Sequence, residues 1–154
     1  LFNAVAALGQ TGSKILIPNP FYQVYTVAAM AIGAQSVYLP ARAESGFLPD
    51  LDALTPEELN QTSVFFLCSP SNPQGAVASE AYWSQLLTLA ETYDFKIFAD
   101  ECYSEIYRAA PPPGALKVAA QIGVDPERVV AFHSLSKRSN LPGLRSGFVG
   151  KLWW

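Results

Sequence analysis

A lysine flanked by hydroxyl groups and followed by an arginine is the part of this sequence best suited to covalent chemistry. The segment Ser134-Leu-Ser-Lys137 follows an apolar run, Arg128 to His133, that predicts a buried strand, and Arg145 lies eight positions after the lysine. Lys137 is predicted to open a loop at the mouth of the sheet. A desolvated amine near other positive charge loses its proton more easily, so Lys137 is a candidate Schiff-base nucleophile. The hydroxyls and Arg145 suit a phosphate, and the alternative is a solvated loop lysine beside a surface arginine.

An acidic residue that ends another apolar run is the second candidate. Phe95 to Ala99 predict a strand, Asp100 follows it directly, and Tyr103 comes three residues later. Open α/β sheets bind ligands at the carboxyl ends of their strands, where Asp100 would lie. If Lys137 carries pyridoxal phosphate, a carboxylate is needed to keep the pyridine nitrogen protonated, so that the ring can act as an electron sink. The alternative is that Asp100 is a helix N-cap.

A third polar loop follows the apolar run from Val64 to Cys68. Residues 69–75 contain two prolines and a glycine at spacings that predict a sharp loop. Asn72 supplies an amide that can bind a ring hydroxyl or a substrate carboxylate, and a plain turn is the alternative. The Asn72–Pro73 bond is predicted to be cis, and Asn19–Pro20 is a second cis candidate.

The order of predicted elements indicates an α/β fold. Strands alternate with helices, which predicts a mostly parallel sheet with helices on both faces. The clearest helix runs from Ser79 to Tyr93, where Trp83, Leu86, Leu87 and Ala90 recur at helical spacing. Trp83 is therefore interpreted as a core residue. The three polar loops all follow predicted strands, so we expect them to converge on one crevice at the carboxyl edge of the sheet.

Composition narrows the classes of function. The chain has 154 residues, enough for one domain with a real core, and its hydrophobic fraction of 50% fits a buried sheet. A net charge of −3 gives no reason to expect nucleic acid or an anionic membrane as a partner, and no apolar run is long enough to span a membrane. Cys68 and Cys102 suggest no disulfide framework, and with one histidine they give no metal-binding pattern. His133 is interpreted as a core residue or a cofactor neighbour rather than an acid–base group.

Taken together, the three loops resemble those of the fold-type I pyridoxal-phosphate aminotransferases. The order Asn-Pro-x-Gly, Asp-x-x-Tyr and Ser-x-Ser-Lys, with an arginine eight residues later, is similar to that family from residue 1 to about 150. The longer strings Asp100–Tyr107 and Ser134–Phe148 resemble the bacterial succinyldiaminopimelate aminotransferases of lysine biosynthesis. The resemblance implies pyridoxal 5'-phosphate as cofactor, and an amino acid and a 2-oxo acid as substrates, namely N-succinyl-LL-2,6-diaminopimelate and 2-oxoglutarate. It also implies a cytoplasmic location and a homodimeric parent protein.

The resemblance further implies a role for each matching residue. Lys137 resembles the lysine that binds the cofactor covalently and moves the proton between the substrate α-carbon and the cofactor. Asp100 matches the partner of the pyridine nitrogen, and Lys137, Asp100 and Tyr103 form the catalytic set. The remaining matches are groups that contact the cofactor: Asn72 and Tyr103 for the ring hydroxyl, Ser134 and Arg145 for the phosphate, and Tyr22 for the pyridine face.

Both ends of the chain depart from the family pattern. The sequence starts at Leu1 in what is predicted to be the middle of a helix, and its last four residues diverge from the family's usual continuation. We therefore expect residues 1–150 to be an incomplete part of a pyridoxal-phosphate-binding large domain. Residues 151–154 are expected to be a divergent or truncated end. Such a fragment is expected to be inactive alone, because a phosphate-binding turn and the arginine for the substrate carboxylate would lie outside it.

Several functions are compatible with the same cofactor site. Another transaminase or a C–S lyase would use the same scaffold, because the cofactor site serves all of them. The pyridoxal-phosphate-binding sensor domain of a transcription regulator is an alternative from another class, and it would need a DNA-binding module upstream. A non-functional remnant is a further alternative.

Overall fold

The computed structural model describes residues 1–150, and the divergent end at 151–154 lies outside the described residues. Within residues 1–150, six strands form one sheet flanked by helices. The strands, in chain order, are β1 (Lys14–Asn19), β2 (Gln35–Pro40), β3 (Thr62–Cys68), β4 (Lys96–Asp100), β5 (Val129–Ser134) and β6 (Gly147–Gly150). The helices, in the same order, are α1 (Phe2–Leu8), α2 (Val24–Ala31), α3 (Pro56–Asn60), α4 (Glu80–Tyr93), α5 (Ala115–Ile122) and α6 (Leu135–Arg138).

The sheet is mostly parallel and has the strand order β2-β1-β3-β4-β5-β6. Of the described strands, β1 to β5 run parallel and β6 pairs antiparallel with β5. Because β1 lies between β2 and β3, the direction of winding reverses there, and ligands of open α/β sheets bind at the carboxyl edge near such a switch point. This architecture confirms the predicted α/β fold with a mostly parallel sheet.

Two hydrophobic cores cover the two faces of the sheet. Helices α1 and α2 pack on one face, where Val5 and Tyr25 are buried, and α3, α4 and α5 pack on the other. Side chains of β1 alternate between the cores: Ile15 and Ile17 join the first, and Leu16 joins the second. The alternation follows from the two-residue period of a strand. Helices therefore lie on both faces, as the sequence predicts.

The centre of the fold is formed by β3 and α4. All seven residues of β3 are buried, as expected for a strand covered by helices on both faces. Helix α4 begins after Ser79, whose hydroxyl accepts a hydrogen bond of 3.1 Å from the Tyr82 amide, and it ends at Asp94 in the left-handed conformation. Trp83 is completely buried, and its indole N–H donates to the Pro113 carbonyl at 3.2 Å. The interpretation of Trp83 as core is confirmed.

The segments that follow β4 and β5 differ from two sequence-based expectations. The chain forms turns after Asp100, and the next helix begins at Ala115, so the alternative of a helix N-cap at Asp100 is wrong. After β5 the chain forms the short helix α6 where the sequence predicts a loop. The Ser134 hydroxyl accepts a hydrogen bond of 3.2 Å from the Ser136 amide, which caps that turn and explains why a serine-rich segment is helical.

Candidate active site

One cavity of about 770 Å³ opens at the carboxyl ends of β3, β4 and β5. Its volume lies within the range of small-molecule sites. The residues that the sequence assigns to a cofactor site come from loops after four different strands, yet they share this cavity. All seven line it: Tyr22, Asn72, Asp100, Tyr103, Ser134, Lys137 and Arg145. The structure thus brings the predicted residues together, and their individual roles stay predictions.

Asp100, the last residue of β4, is the buried carboxylate of the cavity, with 5% of its surface exposed. The Tyr25 hydroxyl donates to its Oδ2 at 2.6 Å, and the Cys102 amide donates to its Oδ1 at 3.3 Å. Among residues 1–150, no lysine, arginine or histidine nitrogen forms an ion pair with it. A buried carboxylate is stabilised by such donors, but it also favours a cationic partner. Asp100 is therefore suited to a positively charged group inside the cavity.

The groups around Asp100 are kept neutral. Burial and the charge of Asp100 raise the pKa of the Cys68 thiol to about 12. The same two causes, burial first, raise the pKa of the Cys102 thiol and of the Tyr25 hydroxyl. Burial also raises the pKa of Tyr103. Thiols that hold their protons are poor nucleophiles, so the cysteines are not candidates for covalent chemistry.

Lys137 lies on α6 and its side chain is exposed. Its Nζ is 6.0 Å from the centroid of the Tyr103 ring. The expectation that the amine is desolvated is therefore wrong for the described chain. The amine reaches the cavity from its rim, and water has access to it there.

Ser134 and Arg145 line the cavity from the two ends of the segment that contains α6. Ser134 ends β5, and the Leu135 amide donates to the Ser146 carbonyl at 3.1 Å, which ties the start of α6 to the segment before β6. Arg145 has a left-handed backbone with φ of 48°, and its Nη1 donates to the Pro142 carbonyl at 3.2 Å. A hydroxyl and a guanidinium are thus available to an anionic group, as a phosphate site requires.

Asn72 lies on a folded loop at the opposite wall. The Ser69 hydroxyl accepts a hydrogen bond of 3.0 Å from the Ala78 amide, which closes the loop. The Asn72–Pro73 bond is cis, as predicted, and the candidate Asn19–Pro20 is cis as well. The Ser69–Pro70 bond is also cis, which the sequence does not indicate.

Tyr22 follows β1 and is 42% exposed. Its ring meets that of Tyr25 edge to face, with centroids 5.9 Å apart. Tyr25 also lines the cavity, although the sequence does not mark it as a site residue. Its three-residue spacing from Tyr22 is a weak signal, because the same spacing is typical of a tyrosine packed into a helix face. Only its contact with Asp100 distinguishes it.

His133 and Glu101 form a second polar group beside the cavity. His133 Nε2 lies 3.7 Å from Glu101 Oε2, and the imidazole stacks on Phe148 with centroids 4.8 Å apart. Burial is the main cause that lowers the pKa of His133, which favours the neutral form of the ring. Burial is likewise the main cause that raises the pKa of Glu101. A neutral, stacked imidazole fits the interpretation of His133 as a neighbour of the site.

The comparison with known families agrees with this geometry. The family model described as aminotransferase class I and II matches residues 1–150. The match covers nearly the whole chain, so the chain belongs to the class I and II aminotransferases. Pyridoxal phosphate is the cofactor of this family, and the cavity fits it: a buried anion, an amine, a guanidinium and several hydroxyls face one space.

Individual relatives show how much of a family member the chain represents. An LL-diaminopimelate aminotransferase of Syntrophobacter fumaroxidans is 36% identical over 140 residues, which are 89% of this chain and 34% of that protein. An aminotransferase structure from Neisseria meningitidis has 40% identity and a TM-score of 0.90, covering 98% of this chain and 39% of its own. A probable N-succinyldiaminopimelate aminotransferase from Thermus thermophilus has 30% identity and a TM-score of 0.86, covering 97% and 39%. The chain thus spans between a third and two fifths of these relatives.

Residues 1–150 contain neither a membrane-spanning helix nor a metal-binding cluster. Along residues 1–150, no helix is both long and apolar enough to cross a membrane. In the same part of the chain, no three histidine, cysteine or acidic side chains are grouped in a way that could hold a metal ion.

Proposed function

We propose that this chain binds pyridoxal phosphate in the 770 Å³ cavity and forms the cofactor-binding part of an aminotransferase. One observation carries the proposal. Asp100 is a buried carboxylate without a cationic protein partner among the described residues, and it lines the same cavity as the amine of Lys137. Such a pair suits a ligand that is cationic at one ring atom and electrophilic at another, as pyridoxal phosphate is.

The chemistry follows from the residues that meet the ligand. Bound pyridoxal phosphate supplies an electron sink for the substrate's α-carbon. Asp100 holds a proton at the ring nitrogen, because its buried charge favours the cationic form of that atom. Lys137 holds the cofactor through its amine and, once free, moves a proton at the substrate α-carbon. Tyr103 and Asn72 donate to the ring hydroxyl and fix the plane of the ring.

The remaining lining residues orient and shield the ligand. Ser134 and Arg145 bind the phosphate, where a hydroxyl donor and a guanidinium form charge-assisted hydrogen bonds. The Tyr22 ring, which lines the cavity, stacks on the pyridine ring. Fixing the reacting atoms in one geometry is a large part of the rate of such a reaction. The exposed position of Lys137 means that water must be excluded by groups that cover the cavity.

The reaction we propose moves an amino group from an amino acid to a 2-oxo acid. We propose N-succinyl-LL-2,6-diaminopimelate and 2-oxoglutarate as the pair, supported by the strings at Asp100–Tyr107 and Ser134–Phe148 and by the name of the Thermus thermophilus structure. Unsuccinylated LL-diaminopimelate is a second candidate, because the curated relatives carry that name. A cytoplasmic homodimer is the form that we propose for the parent.

The test is amino transfer by the full-length protein. It is supplied with pyridoxal phosphate and 2-oxoglutarate, and glutamate formation is measured with each diaminopimelate donor and with L-aspartate as a control donor. We expect the succinylated donor to give the highest kcat/KM. A higher value for unsuccinylated LL-diaminopimelate would select the second candidate. Absence of glutamate with all donors, together with absence of cofactor uptake, would overturn the proposed function.

A further inference from the structure

A buried tyrosine contacts the carboxylate at the floor of the cavity. The Tyr25 hydroxyl donates to Asp100 Oδ2 at 2.6 Å, although the two residues are 75 positions apart. Tyr25 is 2% exposed, so water does not compete for this hydrogen bond. Charge-assisted hydrogen bonds of this length are among the stronger ones in proteins. The contact is therefore a defined feature of the site rather than an incidental surface contact.

The Tyr25 ring has little freedom to move away. It stacks on Phe66 with centroids 4.3 Å apart and an interplanar angle of 10°. Phe66 in turn meets Phe98 edge to face at 5.4 Å, within the same core. Burial and the neighbouring charge of Asp100 raise the pKa of Tyr25 well above its ordinary value, so its O–H keeps the proton that it donates. The hydroxyl is thus a fixed donor held by aromatic packing.

The carboxylate of Asp100 is held at both oxygens. Tyr25 donates to Oδ2, and the Cys102 amide donates to Oδ1 at 3.3 Å. An ionised carboxylate has about four lone-pair sites, so acceptor capacity is left for a ligand in the cavity. Two donors from different elements define the plane of the carboxylate more tightly than one could. The remaining lone pairs are then fixed in direction.

We propose that Tyr25 is a positioning residue, which orients the Asp100 carboxylate toward the ring nitrogen of pyridoxal phosphate. The inference rests on the proposed function and adds a residue to it. Without the hydroxyl, the Asp100 carboxylate loses one hydrogen-bond donor and one constraint on its orientation. The proton at the ring nitrogen is then held less strongly, and the electron sink is weaker.

The experiment uses Tyr25→Phe in the full-length protein, loaded with pyridoxal phosphate labelled with nitrogen-15 in the ring. The ring nitrogen's chemical shift, measured at one fixed pH, reports its protonation directly. Tyr82→Phe is the matched control, because the Tyr82 hydroxyl donates to the Pro49 carbonyl at 2.8 Å and lies outside the cavity. Tyr25→Phe keeps the ring that stacks on Phe66, and its thermal midpoint is compared with that of the control.

We expect the nitrogen signal of Tyr25→Phe to move toward that of an unprotonated pyridine, and kcat to fall about tenfold with little change in KM, as loss of one charge-assisted hydrogen bond predicts. Tyr82→Phe should leave the signal and kcat unchanged. In an Asp100→Asn background, Tyr25→Phe should cause no further shift, because the effect acts through Asp100.

Suppose that the wild-type protein binds the cofactor with a protonated ring nitrogen. An unchanged nitrogen signal in Tyr25→Phe would then overturn the positioning role and leave the proposed function intact. An equal additional shift in the Asp100→Asn background would also overturn the positioning role, since Tyr25 would then act independently of Asp100. Wild-type protein that takes up no pyridoxal phosphate would overturn the proposed function and this inference with it.

Discussion

Lys137 Nζ lies 6.0 Å from the centroid of the Tyr103 ring, so α6 is in contact with the turn that follows β4. The two residues meet because β4 and β5 are adjacent and parallel, which brings the segments after their carboxyl ends together. This distance is at the limit at which an ammonium group and an aromatic face attract each other. The amine thereby lies near the Tyr103 ring, and it is accessible to water.

Lys137→Ala in the full-length protein should abolish covalent attachment of pyridoxal phosphate. The wild type should retain the cofactor after reduction with borohydride and denaturation, and mass spectrometry should place it on the peptide that contains Lys137. Lys117→Ala is the matched control, because Lys117 is an exposed lysine on α5 that does not line the cavity. Retention of a reduced adduct on the same peptide in Lys137→Ala would show that another residue carries the cofactor.

Asp100→Asn should retain the cofactor but lose most of the turnover. The substitution keeps the shape of the side chain and removes the buried charge that favours a protonated ring nitrogen. We expect kcat to fall by about a hundredfold or more, the scale of a lost electrostatic contact at a reacting centre. Asp52→Asn serves as the control, since the Asp52 carboxylate accepts a hydrogen bond from Gln85 on the surface. A kcat within threefold of the wild type would contradict the role of Asp100, because a threefold change corresponds to only roughly 0.6 kcal/mol in the activation free energy.

The cysteines should resist alkylation in the cofactor-free protein. Burial and Asp100 raise the pKa of Cys68 to about 12, so the thiolate fraction is vanishingly small at neutral pH and grows only as the pH approaches that value. At pH 8 the thiolate would be roughly one part in ten thousand, against roughly a quarter for a free cysteine. Iodoacetamide should therefore modify Cys68 about a thousandfold more slowly in the folded protein than in the protein unfolded in urea. Equal rates in the folded and unfolded protein would refute the protected environment.

Glu101 should make stability depend on pH. Its Oε1 accepts a hydrogen bond of 2.8 Å from the Ala115 amide, at the start of α5. Burial raises the pKa of Glu101, so the folded state holds this proton more tightly than the unfolded state does. Its contribution to stability is therefore fully present below the unfolded pKa and is lost as the pH rises through the folded pKa.

Glu101→Gln keeps an acceptor for the Ala115 amide and removes the charge. Its thermal midpoint should increase relative to that of the wild type as the pH rises from about 4 to about 7. Glu101→Ala removes the acceptor as well as the charge, and it should be about 1 kcal/mol less stable than Glu101→Gln at every pH, as the loss of a helix cap predicts. A difference between Glu101→Gln and the wild type that does not change with pH would show that the carboxyl titrates alike in both states.

The sequence by itself determined the strands that lead to the cavity and seven of the residues that line it. The apolar runs before Asn72, Asp100 and Ser134 are strands, and each is followed by a polar segment at the same edge of the sheet. In a parallel sheet that edge collects every residue that follows a strand, so local patterns are enough to predict which side chains share a cavity. Trp83 could likewise be assigned to the core, because helical periodicity is a local property.

Only the tertiary structure decided the contacts between residues far apart in the chain. The hydrogen bond from Tyr25 to Asp100 spans 75 positions and depends on the packing of α2 against the end of β4, which no local pattern encodes. The exposure of Lys137 depends on which surfaces cover the rim of the cavity, and the antiparallel β6 depends on how the chain returns after Arg145. Side-chain burial and long-range hydrogen bonds depend on residues from several elements. Those residues become neighbours only when the elements pack together.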